Sequence, residues 1–108
     1  MPPYSLIDSH CHIVFRSFDE DLDQVAQRWR DAGVQSLLHA CVEPSEIPAI
    51  RSLADRFPEL RYSVGVHPLD TKHWEKDTIS VLRSSALNDS RVLAIGELGL
   101  DLFRDSNL

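Results

Sequence analysis

The chain has 108 residues, 43% of them apolar and 26% charged, and a formal net charge of −6. That is room for one small globular domain, and the acidic balance excludes nucleic-acid binding through a basic surface, which needs clustered Lys and Arg. It leaves open an enzyme whose bound cations meet phosphates. No apolar run approaches the roughly 20 residues of a bilayer-spanning helix, and the start Met1-Pro2-Pro3-Tyr4 lacks the features of a signal peptide. A cytoplasmic setting without a membrane partner is expected, with Cys11 and Cys41 as free thiols.

In chain order, the first expected strand is Leu6-Ile7 running into His10-Cys11-His12. Side chains alternate along a strand, so His10 and His12 project together, Asp8 shares their face and Cys11 points away. Ser17 with Glu20 three residues later reads as a capping box. It opens a helix whose apolar face is Leu22, Val25, Ala26 and Trp29, and Gly33 is placed to end it in a left-handed conformation. A second strand is expected over 36–42, apolar enough for burial on both faces. Ser45 can cap a second helix with Pro48 in its first turn. Ile50, Leu53, Ala54 and Phe57 form its inward face, and Pro58 closes it.

A third strand over 62–66 runs into His67-Pro68. A third helix is expected over 78–86 with Ile79, Leu82 and Ala86 inward. The fourth strand, 92–95, leads into Gly96-Glu97-Leu98-Gly99-Leu100-Asp101. This alternation marks an α/β fold with a parallel sheet, about four strands and three helices. Right-handed crossovers then bring all the strands' carboxyl ends to one side.

That side collects His10 and His12, Cys41 and Glu43, His67, and Glu97. Two imidazoles on one strand end can chelate a divalent cation, and a carboxylate closing an apolar strand is costly unless it has a partner. For Glu97 the competing reading is a salt bridge to Arg61 or Arg91. Gly96 and Gly99 permit close backbone approach or positive φ. His67, before Pro68, is either a turn residue or a substrate or outer-shell contact. Asp8 is placed to orient a histidine or to complete a coordination shell, and Asp101 is open between the same possibilities. Cys41 reads as a packed apolar residue. His39 and His73 have no supporting pattern and are expected to serve packing or solvent.

Ile7-Asp8-Ser9-His10-Cys11-His12, Phe18-Asp19-Glu20-Asp21-Leu22, Gly65-Val66-His67-Pro68 and Ala94-Ile95-Gly96-Glu97-Leu98-Gly99-Leu100-Asp101 together resemble the TatD family. Those are metal-dependent hydrolases, often deoxyribonucleases, built on a TIM barrel. The resemblance implies that 1–108 is a partial TatD-like barrel domain, its N-terminal half, truncated before the second half, since an intact barrel has eight strands and about 250 residues. It implies His10, His12 and Glu97 as metal ligands, with Glu97 the catalytic carboxylate shared between two cations (Zn, Mn or Mg). His67 and Asp101 correspond to motif positions near the site. Ile13-Val14 and Leu102-Phe103 depart from the family's frequent acidic and aromatic residues at those places.

The expected activity is hydrolysis of phosphodiester bonds in DNA, weak or absent in this chain alone because further ligands come from later strands. Another amidohydrolase-like reaction, or a non-catalytic truncated remnant, are the alternatives. The end at Arg104-Asp105-Ser106-Asn107-Leu108, without a closing helix, favours the remnant. Bare first and fourth strand edges predict marginal stability or self-association.

Overall fold

The computed structural model describes residues 4–104. Residues 1–3 of the start segment and 105–108 of the chain's end lie outside the described residues. Four strands, β1 (Leu6–Cys11), β2 (Val34–His39), β3 (Leu60–Val64) and β4 (Val92–Ile95), form one parallel sheet in the order β1-β2-β3-β4. They are joined by α1 (Leu22–Asp31), α2 (Ile47–Arg56) and α3 (Thr78–Asn88). Strands in sequence order with a helix at every crossover are the N-terminal arc of a TIM barrel, four of its eight strands. No helix among the described residues is long and apolar enough to cross a membrane.

The core lies between the helices and one face of the sheet. Ala26 and Trp29 of α1, and Ile47, Ile50 and Ala54 of α2, close with Phe57 over Leu37, Leu60, Tyr62 and Val64. Each large apolar side chain taken fully from water contributes about 1.5–3 kcal/mol. Trp29 stands edge-on to Phe57 with ring centroids 5.3 Å apart. Its indole N–H donates to Glu59 at 3.1 Å, and Arg30 grips the same carboxylate through two bonds of 2.7 and 2.9 Å. The Arg30 bonds, then the Trp29 N–H, hold the Glu59 carboxyl down at about 2.

The opposite face, which alternation turns toward the barrel axis, is uncovered: Ile7, Leu93 and Ile95 are 73%, 64% and 56% exposed. In the second strand Leu37 and His39 are buried on the helix side, and Ser36 and Leu38, which alternate onto the other face, are half-buried.

Other local expectations also change. The Ser17–Glu20 capping box does not open α1. A 3-10 turn at Arg16–Phe18 comes first, with Phe18 packed on the core, and α1 starts at Leu22 behind Asp21, whose side chain makes no cap bond. Ser45 does not cap α2. It lies in a 3-10 turn at Pro44–Glu46 and donates to Glu43 at 2.6 Å, while Glu46 accepts from the Val42 amide at 2.8 Å. In α3 the buried residues are Thr78 and Ser85, and Ile79 is 55% exposed. The Thr78 hydroxyl turns inward to accept from the Glu75 amide at 2.8 Å, and the next residue along a helix is rotated by about 100° from it. Gly33 does end α1 with φ at 94°.

Candidate metal centre

The carboxyl ends of the four strands are sewn together by short polar links. Ser63 of β3 accepts from the Cys41 amide at 3.3 Å and donates to the Gly96 carbonyl at 2.6 Å. The Glu97 amide returns to the Cys41 carbonyl at 3.2 Å, and the His67 amide to the Val42 carbonyl at 2.7 Å. The backbone after β4 passes so close to Gly65 that a Cβ there would stand 2.5 Å from the Glu97 carbonyl oxygen. Gly65 is thus the glycine this approach requires. Gly96 would meet nothing within 4 Å, and Gly99 carries the positive φ of 133°.

These links place Glu97 opposite the histidines of β1. His12 Nε2 lies 3.5 Å from its Oε2, and His10 Nε2 lies 3.9 Å from its Oε1. The two Nε2 atoms are 3.1 Å apart. Two nitrogens bound at about 2.0–2.1 Å to one cation stand about 2.8–3.4 Å apart at right to tetrahedral angles, so the spacing is that of a chelating pair. Among the described residues Glu97 Oε2 is buried without a hydrogen-bond partner, as is His12 Nδ1. Such orphans are costly, and a divalent cation among the three side chains would satisfy the carboxylate oxygen. The residues present therefore fit a bound metal. His12 is further held by stacking on Phe15, with centroids 5.1 Å apart.

His67 closes the group, its Nε2 3.8 Å from Glu97 Oε1. Its Nδ1 accepts the Leu69 amide at 3.0 Å. The imidazole is then neutral with its proton on Nε2, so it presents an N–H to the cluster.

A model of the TatD related DNase family matches residues 7–108. The chain belongs to that family. It is 32% identical over 100 residues to the uncharacterized metal-dependent hydrolase YjjV of Escherichia coli (strain K12), spanning 92% of this chain and 39% of YjjV. It is 36% identical over 101 residues to the 3'-5' ssDNA/RNA exonuclease TatD of Erwinia billingiae, spanning 93% of this chain and 38% of the relative. It is 35% identical over 109 residues to the putative deoxyribonuclease TATDN3 of Mus musculus, spanning 89% and 35%. The crystal structure of Escherichia coli YjjV superposes with a TM-score of 0.84 at 30% identity, covering 94% of this chain and 39% of that one. The chain thus spans about two fifths of the length of the relatives it matches.

Within this member of the TatD related DNase family, the remaining candidates are placed as follows. Among the described residues Glu97 has no arginine partner: Arg91 is bonded to Asp89 and Asp55, and Arg61 to the carbonyls of Pro58 and Leu60. Asp8 accepts the His10 backbone amide at 3.0 Å, and Asp101 accepts the amides of Phe103 and Arg104 at 3.0 and 2.8 Å. Both carboxylates are thus engaged in holding backbone. Cys11 and Cys41 are free thiols, pushed up by burial to about 12 and about 11.

Two residues were underrated by sequence. His73 sits 2.5 Å from Glu43 and 3.7 Å from Asp70. The Ser45 hydroxyl and then the His73 imidazole hold the Glu43 carboxyl below its usual value. His39 is fully buried at the end of β2, and desolvation pushes its imidazole down to about 4. The signal that could have found it is the one used for Glu97, a titratable residue closing an apolar strand.

Proposed function

We propose that this chain contributes the His10–His12–Glu97 end of a divalent-metal-dependent hydrolase acting on phosphodiester bonds of DNA. The observation that carries the reading is the convergence of two imidazoles and one orphaned carboxylate at the sheet's carboxyl edge. A Zn²⁺, Mn²⁺ or Mg²⁺ held there would acidify water and stabilise charge on a phosphoryl oxygen. Imidazole favours the first two, whereas Mg²⁺ prefers oxygen donors.

His10, His12 and Glu97 would hold such a cation, the histidines through imidazole nitrogen and Glu97 through its carboxylate. His67 offers its Nε2 proton to a phosphate oxygen placed beside Glu97. Because the chain is shorter than its relatives, its own turnover is expected to be weak. The names of the relatives support nucleic acid as the substrate class.

The test is titration of the metal-stripped chain with Zn²⁺, alongside hydrolysis of single-stranded DNA, nitrophenyl phosphate and a small amide. One tightly held equivalent, lost in Glu97→Gln, with slow cleavage confined to DNA, is the expected result. Unchanged Zn²⁺ affinity in that variant, or turnover of the amide alone, overturns the proposal.

A further inference from the structure

The two candidate ligands of β1 are held very differently. His10 is exposed, and its nearest restraint is the bond from its own amide to Asp8. His12 follows the end of β1, at a place where the β1–β2 register is irregular between Asp8 and Cys11. Both peptide groups flanking its Cα are nevertheless tied to the end of β2. On one side the Cys11 carbonyl accepts the Ala40 amide at 2.9 Å. On the other, the Ile13 amide donates to His39 Nε2 at 2.9 Å, and the Val14 amide approaches the same nitrogen at 3.3 Å.

An amide N–H only donates, so Nε2 of His39 presents a lone pair. Its Nδ1, 2.9 Å from the Ala40 carbonyl, then carries the proton. The side chain thus stands in for the main-chain acceptor that the parallel ladder would have offered after β1 leaves the sheet. Its ring also stands edge-on to that of His12, with centroids 5.9 Å apart and planes at 79°.

We propose that His39 is a positioning residue for His12: its buried imidazole captures the amides beyond His12 and thereby sets where the His12 imidazole points. The proposal rests on the metal-centre reading above. It takes His39 out of the packing category, because what it supplies is an acceptor at one atom and not volume. Removing that acceptor leaves the Ile13 amide orphaned beside a residue that is only 7% exposed, and the turn carrying His12 is released.

Asparagine at this position keeps a donor near Nδ1 and has nothing at the place of Nε2. Glutamine reaches that place with a carbonyl oxygen. The experiment compares Co²⁺ affinity and the Co²⁺ d–d absorption of the full chain with those of His39→Asn and His39→Gln, each also made in a His12→Ala background. Outer partners of metal-binding histidines are typically worth about 10–100-fold in affinity. His39→Asn is expected to lose that much with an altered Co²⁺ spectrum, His39→Gln to recover most of both, and neither to have any effect once His12 is gone. Equal affinity in folded His39→Asn, or the same loss in the His12→Ala background, overturns the proposal.

A long-range proton–nitrogen NMR spectrum of the unmutated chain decides the matter even if a variant does not fold. A proton on His39 Nδ1 supports the assignment, and a proton on Nε2 overturns it. Failure of the unmutated chain to bind Co²⁺ overturns the metal-centre reading and this inference together. Tight binding that is indifferent to His39 overturns this inference alone.

Discussion

Two mixed groups of histidine and carboxylate stand at the same edge of the sheet, and they are built in opposite ways. Glu43, Asp70 and His73 satisfy one another: His73 meets Glu43 at 2.5 Å, and Ser45 meets the same carboxylate at 2.6 Å. His10, His12 and Glu97 do not. Their histidine–carboxylate distances are 3.5 and 3.9 Å, two imidazole nitrogens face each other at 3.1 Å, and a buried carboxylate oxygen has no partner among the described residues. Both groups have donor atoms within 4.8 Å of one another, so proximity alone does not separate them. Unmet hydrogen-bonding demand does. The first group is closed by contacts among its own members, and the second presents buried polar atoms that no described residue meets.

The largest effect that separates them is on metal affinity. His12→Ala removes a proposed ligand and is expected to weaken Zn²⁺ binding by more than about 100-fold, beyond what loss of an outer partner typically costs. His73→Ala is expected to leave it unchanged. Calorimetric titration of both variants checks this, and a comparable loss in the two would erase the distinction.

Gly65→Ala tests whether the backbone links around Glu97 matter. The new methyl would lie 2.5 Å from the Glu97 carbonyl oxygen and 2.7 Å from the Gly96 carbonyl carbon, main-chain atoms with little room to yield. Overpacking of that kind costs about 1–3 kcal/mol, or roughly 4–8 °C of melting temperature per kcal/mol in a domain of this size. Zn²⁺ affinity should fall as Glu97 shifts. A Zn²⁺ affinity equal to that of the parent would show that Glu97 is positioned from elsewhere.

Much of this arrangement was legible in the sequence because it depends on period and order. The helix faces of α1 and α2, the parallel topology and the gathering of His10, His12, His67 and Glu97 follow from alternation and from where apolar strands stop. What was not legible depends on side chains choosing among partners across the chain. Ser45 sits where a helix cap belongs yet turns to Glu43, and Thr78 rotates α3 so that Ile79 faces solvent. His39 looks like any histidine in an apolar strand until the irregular register at the end of β1 leaves two amides for it to receive. The close passage at Gly65 is likewise set by β3 and β4 together, which neither strand's sequence announces.

At the other end of the sheet Glu59 offers a control on the pH response, because it serves packing alone. Its folded value of about 2 lies below the unfolded carboxylate value of about 4.3. The stability it supplies is therefore complete above about pH 4.3 and is lost as pH falls toward 2. Glu59→Gln should flatten the pH dependence of stability over that window, by no more than about 3 kcal/mol at neutral pH, without touching Zn²⁺ affinity. An acid slope unchanged in the variant would assign that slope to other carboxylates, Asp89 first, which Arg91 and Tyr62 hold well below the carboxylate range.

The smallest expected effect belongs to Glu43. Its depressed value means that its contribution, too, is present above the unfolded carboxylate value and fades as pH drops below it. Its partner His73 is half exposed, with a relative accessibility of 49%, so solvent screens the pair. Glu43→Gln is then expected to cost under about 1 kcal/mol at neutral pH and nothing at acid pH, with the difference shrinking further in high salt. Thermal melts at two salt concentrations measure it. A loss of several kcal/mol, or a loss of bound Zn²⁺, would mean that this group is not the self-contained pair its distances describe, and that the two clusters share a cation instead of merely a rim.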